Sequence, residues 1–209
     1  MGNGRRVPNT GDVISEVDDA LCVLIGRALP EGAAVRLDPP KPTWQTERPS
    51  AAIDLFLFGL HNDPSGRESG WEEFRDERGA VRARRPSSRR CALSYLVTAR
   101  AAKVSEEHTL LDLALRTLLF ADAIPRDCLS GDLAEGEPVA LEVSTEGPGD
   151  LWSSLGMPAR AAFVLTASAA FPAPVDEDVA PPAEKMSLRS GQNVPAALAP
   201  SAPRRWVRT

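Results

Sequence analysis

The chain has 209 residues, of which 43% are hydrophobic and 25% charged, and its formal net charge is −5. That length supports one domain with its own core, without disulfides or a structural metal. The negative balance argues against a general polyphosphate partner, and no stretch is apolar enough for direct membrane insertion.

Residues 1–11 read as a flexible leader; they carry Arg5 and Arg6 but no apolar run, so no secretory signal is expected. Asp12 is a plausible N-cap for a helix. Val13, Ile14, Val17, Leu21, Leu24 and Ile25 recur at three- and four-residue steps behind it and define one apolar face. Pro30 and Gly32 are the expected stop, with a short strand around residues 35–37. The prolines between positions 39 and 49 forbid regular structure, because they remove donors and fix φ.

Residues 51–60 are apolar at nearly every position, as in a strand covered on both faces, although Asp54 makes one face partly polar. The charged excursion 61–90 carries turn signals at Asp63-Pro64, Ser65-Gly66 and Arg78-Gly79, and its few large apolar residues include Trp71 and Phe74. It reads as a long hairpin or a partly mobile excursion at the edge of the sheet. Residues 91–101 then alternate: Cys91, Leu93, Tyr95, Val97 and Ala99 on one face, Ser94, Thr98 and Arg100 on the other. This strand is expected to pair with residues 53–60.

Ser105 is the expected cap of a second helix, whose Glu106 and Glu107 suit the positive end of the helix dipole. Leu110, Leu111, Ala114, Leu115 and Leu118 form its apolar stripe, widened by Leu113 and Leu119, and Pro125 ends it. Residues 139–143 alternate as a strand. Asp150 is the expected cap of a short helix ended by Gly156. Residues 160–171 form a last strand. Residues 172–209 are rich in Pro, Ala and charge, and are expected to be disordered when free, since they bury too little to offset ordering entropy. Their last stretch differs, with three arginines set around Trp206.

Catalytic chemistry finds little support. His61 and His108 have no partner at metal-ligand spacing, and no phosphate-binding loop, dinucleotide fingerprint or nucleophile elbow occurs. Cys22, Cys91 and Cys128 lack CxxC spacing and read as buried structural thiols in a reducing compartment. The basic run 82–90 is of the kind that contacts phosphate. Glu68, Glu72, Glu73, Asp76 and Glu77 stand upstream to neutralise it across a hairpin, so no nucleic-acid partner is expected.

Four segments in order carry a resemblance: 53–62 (IDLFLFGLHN), 91–101 (CALSYLVTARA), 106–119 (EEHTLLDLALRTLL) and 151–156 (LWSSLG). From Thr10 to about Phe171 the chain resembles the N-terminal domain family of the cap, or tube-terminator, protein of extracellular contractile injection systems. These are the phage-tail-like particles of the virulence-cassette and antifeeding-prophage type. The chain departs from the family pattern at Asp112, where members often carry glycine, and at Arg100, where they tend to carry an aromatic; these departures bear on surface details more than on the fold.

The resemblance implies an α/β (α+β) fold similar to phage tail terminators: a mixed, mainly antiparallel sheet with helices packed on it. The domain would span 12–171 and the tail 172–209. It implies a structural protein rather than an enzyme, without a cofactor. Copies would form a homo-oligomer, a hexameric ring, at the baseplate-distal end of the inner tube. The ring would stop tube growth and help terminate or anchor the sheath, so inner tube protein and sheath protein are the expected partners. The setting would be cytoplasmic, within an assembled particle. The alternative is an adaptor domain linking such a particle to a membrane protein or cargo. An Arg/Trp end has the composition of an interface anchor, which makes Arg204, Arg205, Trp206 and Arg208 the candidate partner-binding residues. They would add as a strand or dock in a pocket on sheath or tube.

Overall fold

In the computed structural model, which describes residues 12–45, 50–64, 70–75, 79, 81–173 and 177–178, the chain enters its first helix at Asp12. The Asp12 carboxylate accepts from the Ser15 amide and hydroxyl, at 3.4 and 2.9 Å, as the free amides of a first turn require. The elements run in order: α1 (Val13–Gly26), β1 (Ala34–Arg36), β2 (Ala52–Asp63), β3 (Trp71–Arg75), β4 (Val81–Pro86), β5 (Arg89–Arg100) and α2 (Val104–Leu119). They continue with α3 (Gly131–Glu135), β6 (Ala140–Val143), α4 (Gly149–Ser154), β7 (Ala162–Phe171) and β8 (Glu177–Asp178). The first helix ends at Gly26, ahead of the expected Pro30 and Gly32; Gly32 instead adopts φ 87° in the turn toward β1.

The main sheet has the order β1-β2-β5-β7-β6, with β1 parallel to β2 and every other pair antiparallel. The architecture is therefore the mixed, mainly antiparallel sheet with packed helices that the resemblance implies. The alternation of β5 sets its register. Leu93, Tyr95, Val97 and Ala99 face the helices, where they meet Val17, Leu21 and Ile25 of α1 and Leu110, Ala114 and Leu118 of α2. Each large aliphatic side chain fully buried there contributes about 1.5–3 kcal/mol. Ala167 and Ala169 of β7 are also fully buried in this core.

The opposite face has a smaller core. Leu96 of β5, Trp152 of α4 and Met157 are buried together, with Phe56 packed against them. The turn after α4 is closed by Gly156 at φ 63°, with the Met157 amide donating to the Trp152 carbonyl at 3.1 Å. That six-residue bond and the left-handed glycine make a Schellman ending, and it holds Met157 under the indole. Among the described residues the Trp152 indole N–H meets no acceptor.

Two expected caps are displaced. Helix α2 begins after Lys103, which makes no side-chain cap, and Ser105 lies within the first turn. The carboxylate of Glu107 reaches back to the Ala101 amide (3.3 Å) and also takes Arg160 at 2.5 Å. A helix entered straight from a strand leaves amides that a longer side chain can reach from inside the helix. Likewise Pro148, not Asp150, precedes α4.

Within the excursion 61–90, β3 and β4 pair antiparallel as a hairpin; it continues from the central strands β2 and β5 rather than lying at the edge of the main sheet, and it gains a third strand. A second sheet has the order β3-β4-β8, antiparallel throughout. β2 leads into β3, β4 leads into β5, and β7 leads into β8, so this arm repeats the order of the three central strands. Its third strand belongs to the segment that the sequence separates as a tail. The Ser87 amide donates to the Gly70 carbonyl at the junction, 3.2 Å.

Candidate functional site

The four motif segments fall on β2, β5, α2 and α4, and three of them meet on the sheet face away from α1. The densest polar arrangement there is one that sequence reading missed. Arg100, 3% exposed, donates from Nε and Nη2 to the two carboxylate oxygens of Asp54, at 2.6 and 2.7 Å, and Asp54 is fully buried. A fork-to-fork pair of this kind is among the strongest charge-assisted contacts. The guanidinium also reaches Asp38 at 3.4 Å and lies 4.2 Å from the centroid of the Trp44 ring. Arg100 is thus no surface detail. The register places it opposite Ala52, one diagonal step from Asp54, and that reach is normal between neighbouring strands. The signal was present in the sequence: one acid in an apolar strand and one arginine at the end of its partner.

A second node stands where the body meets the arm. Arg90 donates to the hydroxyl of Ser168 (3.0 Å), the Ser168 carbonyl (2.5 Å), the Pro138 carbonyl (3.0 Å) and Glu137 (2.9 Å). The Ser168 hydroxyl in turn donates to Asp63. These residues, with Glu142 and Thr166, line an open groove of about 640 Å³. The arginine is occupied on all sides, so the node ties β5, β7 and the 137–138 turn together rather than offering a free cation.

The arm shows the charge neutralisation expected of 61–90. Glu73 lies opposite Arg84 and accepts from it at 3.2 Å and from Arg75 at 2.5 Å. The register also sets Glu72 opposite Arg85 and Arg84 opposite Glu177. Trp71 is 51% exposed on β3, and β3 is an edge strand. β2 is paired on both sides only from Ala52 to Asp54; beyond that, among the described residues, its outer edge is open.

No group of three or more His, Cys, Asp or Glu side chains among the described residues is placed to hold a metal ion. His61 and His108 are exposed, and Glu107 bonds Arg160 and the Ala101 amide. Cys128 is buried, while Cys22 and Cys91 are half-buried. Burial, then Asp18 and Asp19, push the Cys22 thiol up to about 11, away from a reactive thiolate. Beside it the buried Tyr95 hydroxyl donates to Asp18 at 2.7 Å. Burial raises the Asp18 carboxyl above its ordinary value, against the lowering effect of that hydrogen bond. The candidate anchors Arg204, Arg205, Trp206 and Arg208 lie outside the described residues. No described helix is long and apolar enough to cross a membrane.

Fold and surfaces together define an α/β domain with helices on its five-stranded sheet and a second, three-stranded sheet, the arm. The chain belongs to the Pvc16 N-terminal domain family, which it matches over residues 16–185. Among solved structures it is similar to the sheath/tube terminator of an extracellular contractile injection system, PVC, in the extended state. The TM-score is 0.64 at 20% identity, covering 89% of this chain and 65% of that one. It is also similar to the tube-terminating cap of the anti-feeding prophage, with TM-score 0.58 and 18% identity, covering 83% and 60%. The chain therefore spans less than two thirds of either relative's length. No curated protein matches the sequence.

Proposed function

We propose that this chain is a structural cap of a contractile injection particle, working by assembly rather than by catalysis. Copies close into a hexameric ring on the baseplate-distal end of the inner tube, end tube growth and help terminate or anchor the sheath. The observation that carries this reading is membership of the Pvc16 N-terminal domain family across residues 16–185. The fold likeness to a sheath/tube terminator and to a tube-terminating cap supports it.

The surfaces fit the role. A ring needs two unlike patches on each copy, and the sheet has unlike edges at β1 and β6, with the arm adding β3 and β8. Inner tube protein and sheath protein are the partners of this reading, and Arg204, Arg205, Trp206 and Arg208 are the residues proposed to carry partner contact. Light scattering on the purified chain, alone and with tube protein, tests it. A closed ring in either sample is expected; a monomer in both overturns it.

A further inference from the structure

Among the described residues the arm has a charge pattern with its two outer edges open, at β3 and at β8. Its middle strand β4 reads Val-Arg-Ala-Arg-Arg-Pro and is basic, and it lies between two acidic neighbours. On one side β3, with the residues that follow it, reads Trp-Glu-Glu-Phe-Arg-Asp-Glu. On the other, β8 and the residue before it read Asp-Glu-Asp. Opposite charges directly across a pair of strands stabilise it and like charges oppose it, so each strand selects a neighbour of the other sign. β8 and β3 each have that neighbour only on the β4 side, but β3 has five residues and β8 two among the described residues, so β3 is the edge long enough to receive a further strand. Among the described residues the other side of β3 is unpaired, and Trp71 of this strand is half-exposed. An edge of this kind is a template for strand addition.

The chain has a second segment with the composition of β4. Residues 203–209 read Pro-Arg-Arg-Trp-Val-Arg-Thr, three cations with the strand-favouring Trp206 and Val207 between them. Those arginines carry no acidic residue with them, so residues 1–199 hold 21 basic and 29 acidic side chains, a net of −8. The geometry points to strand addition: the segment 204–209 pairs along the open edge of β3 on a neighbouring copy. It makes the arm a four-stranded sheet of alternating charge, basic strand beside acidic, and clasps successive copies together.

The recipient of the proposal is the neighbour, the copy whose unlike edge a closed ring brings alongside, and the chain's own arm is the competing recipient that the test separates. β8 is its last described strand, and β8 is on the edge of the arm opposite β3. In a closed ring the unlike edges of successive copies face each other. The 25 residues between Asp178 and Arg204 span up to about 80–90 Å when extended, more than enough to cross an interface. This clasp rests on the ring reading and names the partner of the Arg/Trp segment within it.

Two differently tagged copies test it, one carrying Glu72→Cys and the other Val207→Cys, co-expressed as full chains and treated with a short bis-maleimide. The parent chain, with its native Cys22, Cys91 and Cys128, sets the background. The expected result is a product joining the two tags, well above background, that drops several-fold when Arg204, Arg205 and Arg208 are all changed to Glu. As a second measurement, a labelled peptide of residues 200–209 is expected to bind rings of a chain truncated after Ala199. A sample that light scattering shows to be a ring, with neither cross-link nor peptide binding, overturns the clasp and leaves the ring standing. In a third sample, a chain carrying both Glu72→Cys and Val207→Cys, cross-linking confined to single chains assigns the segment to its own arm and also overturns the clasp. A monomer overturns the ring reading and the clasp with it.

Discussion

Strands β2, β5 and β7 pass through two environments, and the contrast between them organises the molecule. In the body half, Ala52, Ile53, Asp54 and Leu55 of β2 and the last six residues of β5 are all buried, under helices on one face and Trp152 and Trp44 on the other. Past the register shift between Leu57 and Gly59 the same β2 becomes exposed, with Phe58 and Leu60 turned to solvent. The arm beyond it is laid out as a ladder of acidic and basic strands. Burial makes the body half one cooperative unit, whereas exposed ion pairs contribute little to stability. Placing the two on one set of strands gives a rigid support for a surface that can be altered without unfolding the domain.

Stability measurements can break that contrast. The largest loss is expected in the body. Arg100→Ala leaves the Asp54 carboxylate buried without its partner and should lower unfolding free energy by about 3–5 kcal/mol in denaturant titration. Replacing both together, Asp54→Leu with Arg100→Met, should recover most of it, because an apolar pair of similar volume has no desolvation cost. A single-variant loss below about 1 kcal/mol would mean that water reaches the pair.

Gly156→Ala is expected to cost about 1–2 kcal/mol, since a side chain at φ 63° meets the left-handed penalty. A thermal melt reads it, and an unchanged Tm would show that the α4 turn relaxes. Smaller still is the Asp18 effect, which is read through pH. Burial raises this carboxyl, so between the ordinary carboxylate value and the raised one the native state holds the extra proton. Its contribution to stability therefore falls as pH rises through that window. Asp18→Asn should remove that component of the decline and raise stability at neutral pH, with Tyr95 still donating to the amide oxygen. A denaturant midpoint that stays below the parent's at pH 7 would contradict it. The smallest change is in the arm: Glu73→Ala, which removes the partly exposed contacts to Arg84 and Arg75, should cost less than about 1 kcal/mol. A loss of body-like size would mean that arm and body unfold as one.

Much of this fold can be read directly from the sequence, for reasons specific to each element. The period-two pattern of 91–101 identifies β5 and its helix-facing side, because Leu93, Tyr95, Val97 and Ala99 all enter the core. The three- and four-residue spacing of α1 does the same through Val17, Leu21 and Ile25. Asp12 caps as expected because its acceptor sits one turn from the amides it serves. The elements missed depend on contacts distant in sequence. Arg100 reads as a surface residue until the β2–β5 register brings Asp54 to it. Glu107 replaces Ser105 at the start of α2 because Ala101 and Arg160 converge there. β8 has two residues and no periodicity of its own; it is defined by the basic strand beside it. Leu119 reads as part of the apolar stripe of α2 yet is 56% exposed, and Phe120 after it 89%; the buried positions of the helix are Leu110, Ala114 and Leu118.

For the proposed cap, with surfaces that join copies at the end of a tube, tube length is the most direct readout. Particles assembled with and without this chain, imaged by electron microscopy, should differ in the distribution of inner-tube lengths. Capped particles should be uniform, while those lacking the chain should carry tubes of scattered length with loosened distal sheath. Identical, uniform lengths in both preparations would contradict the proposed role.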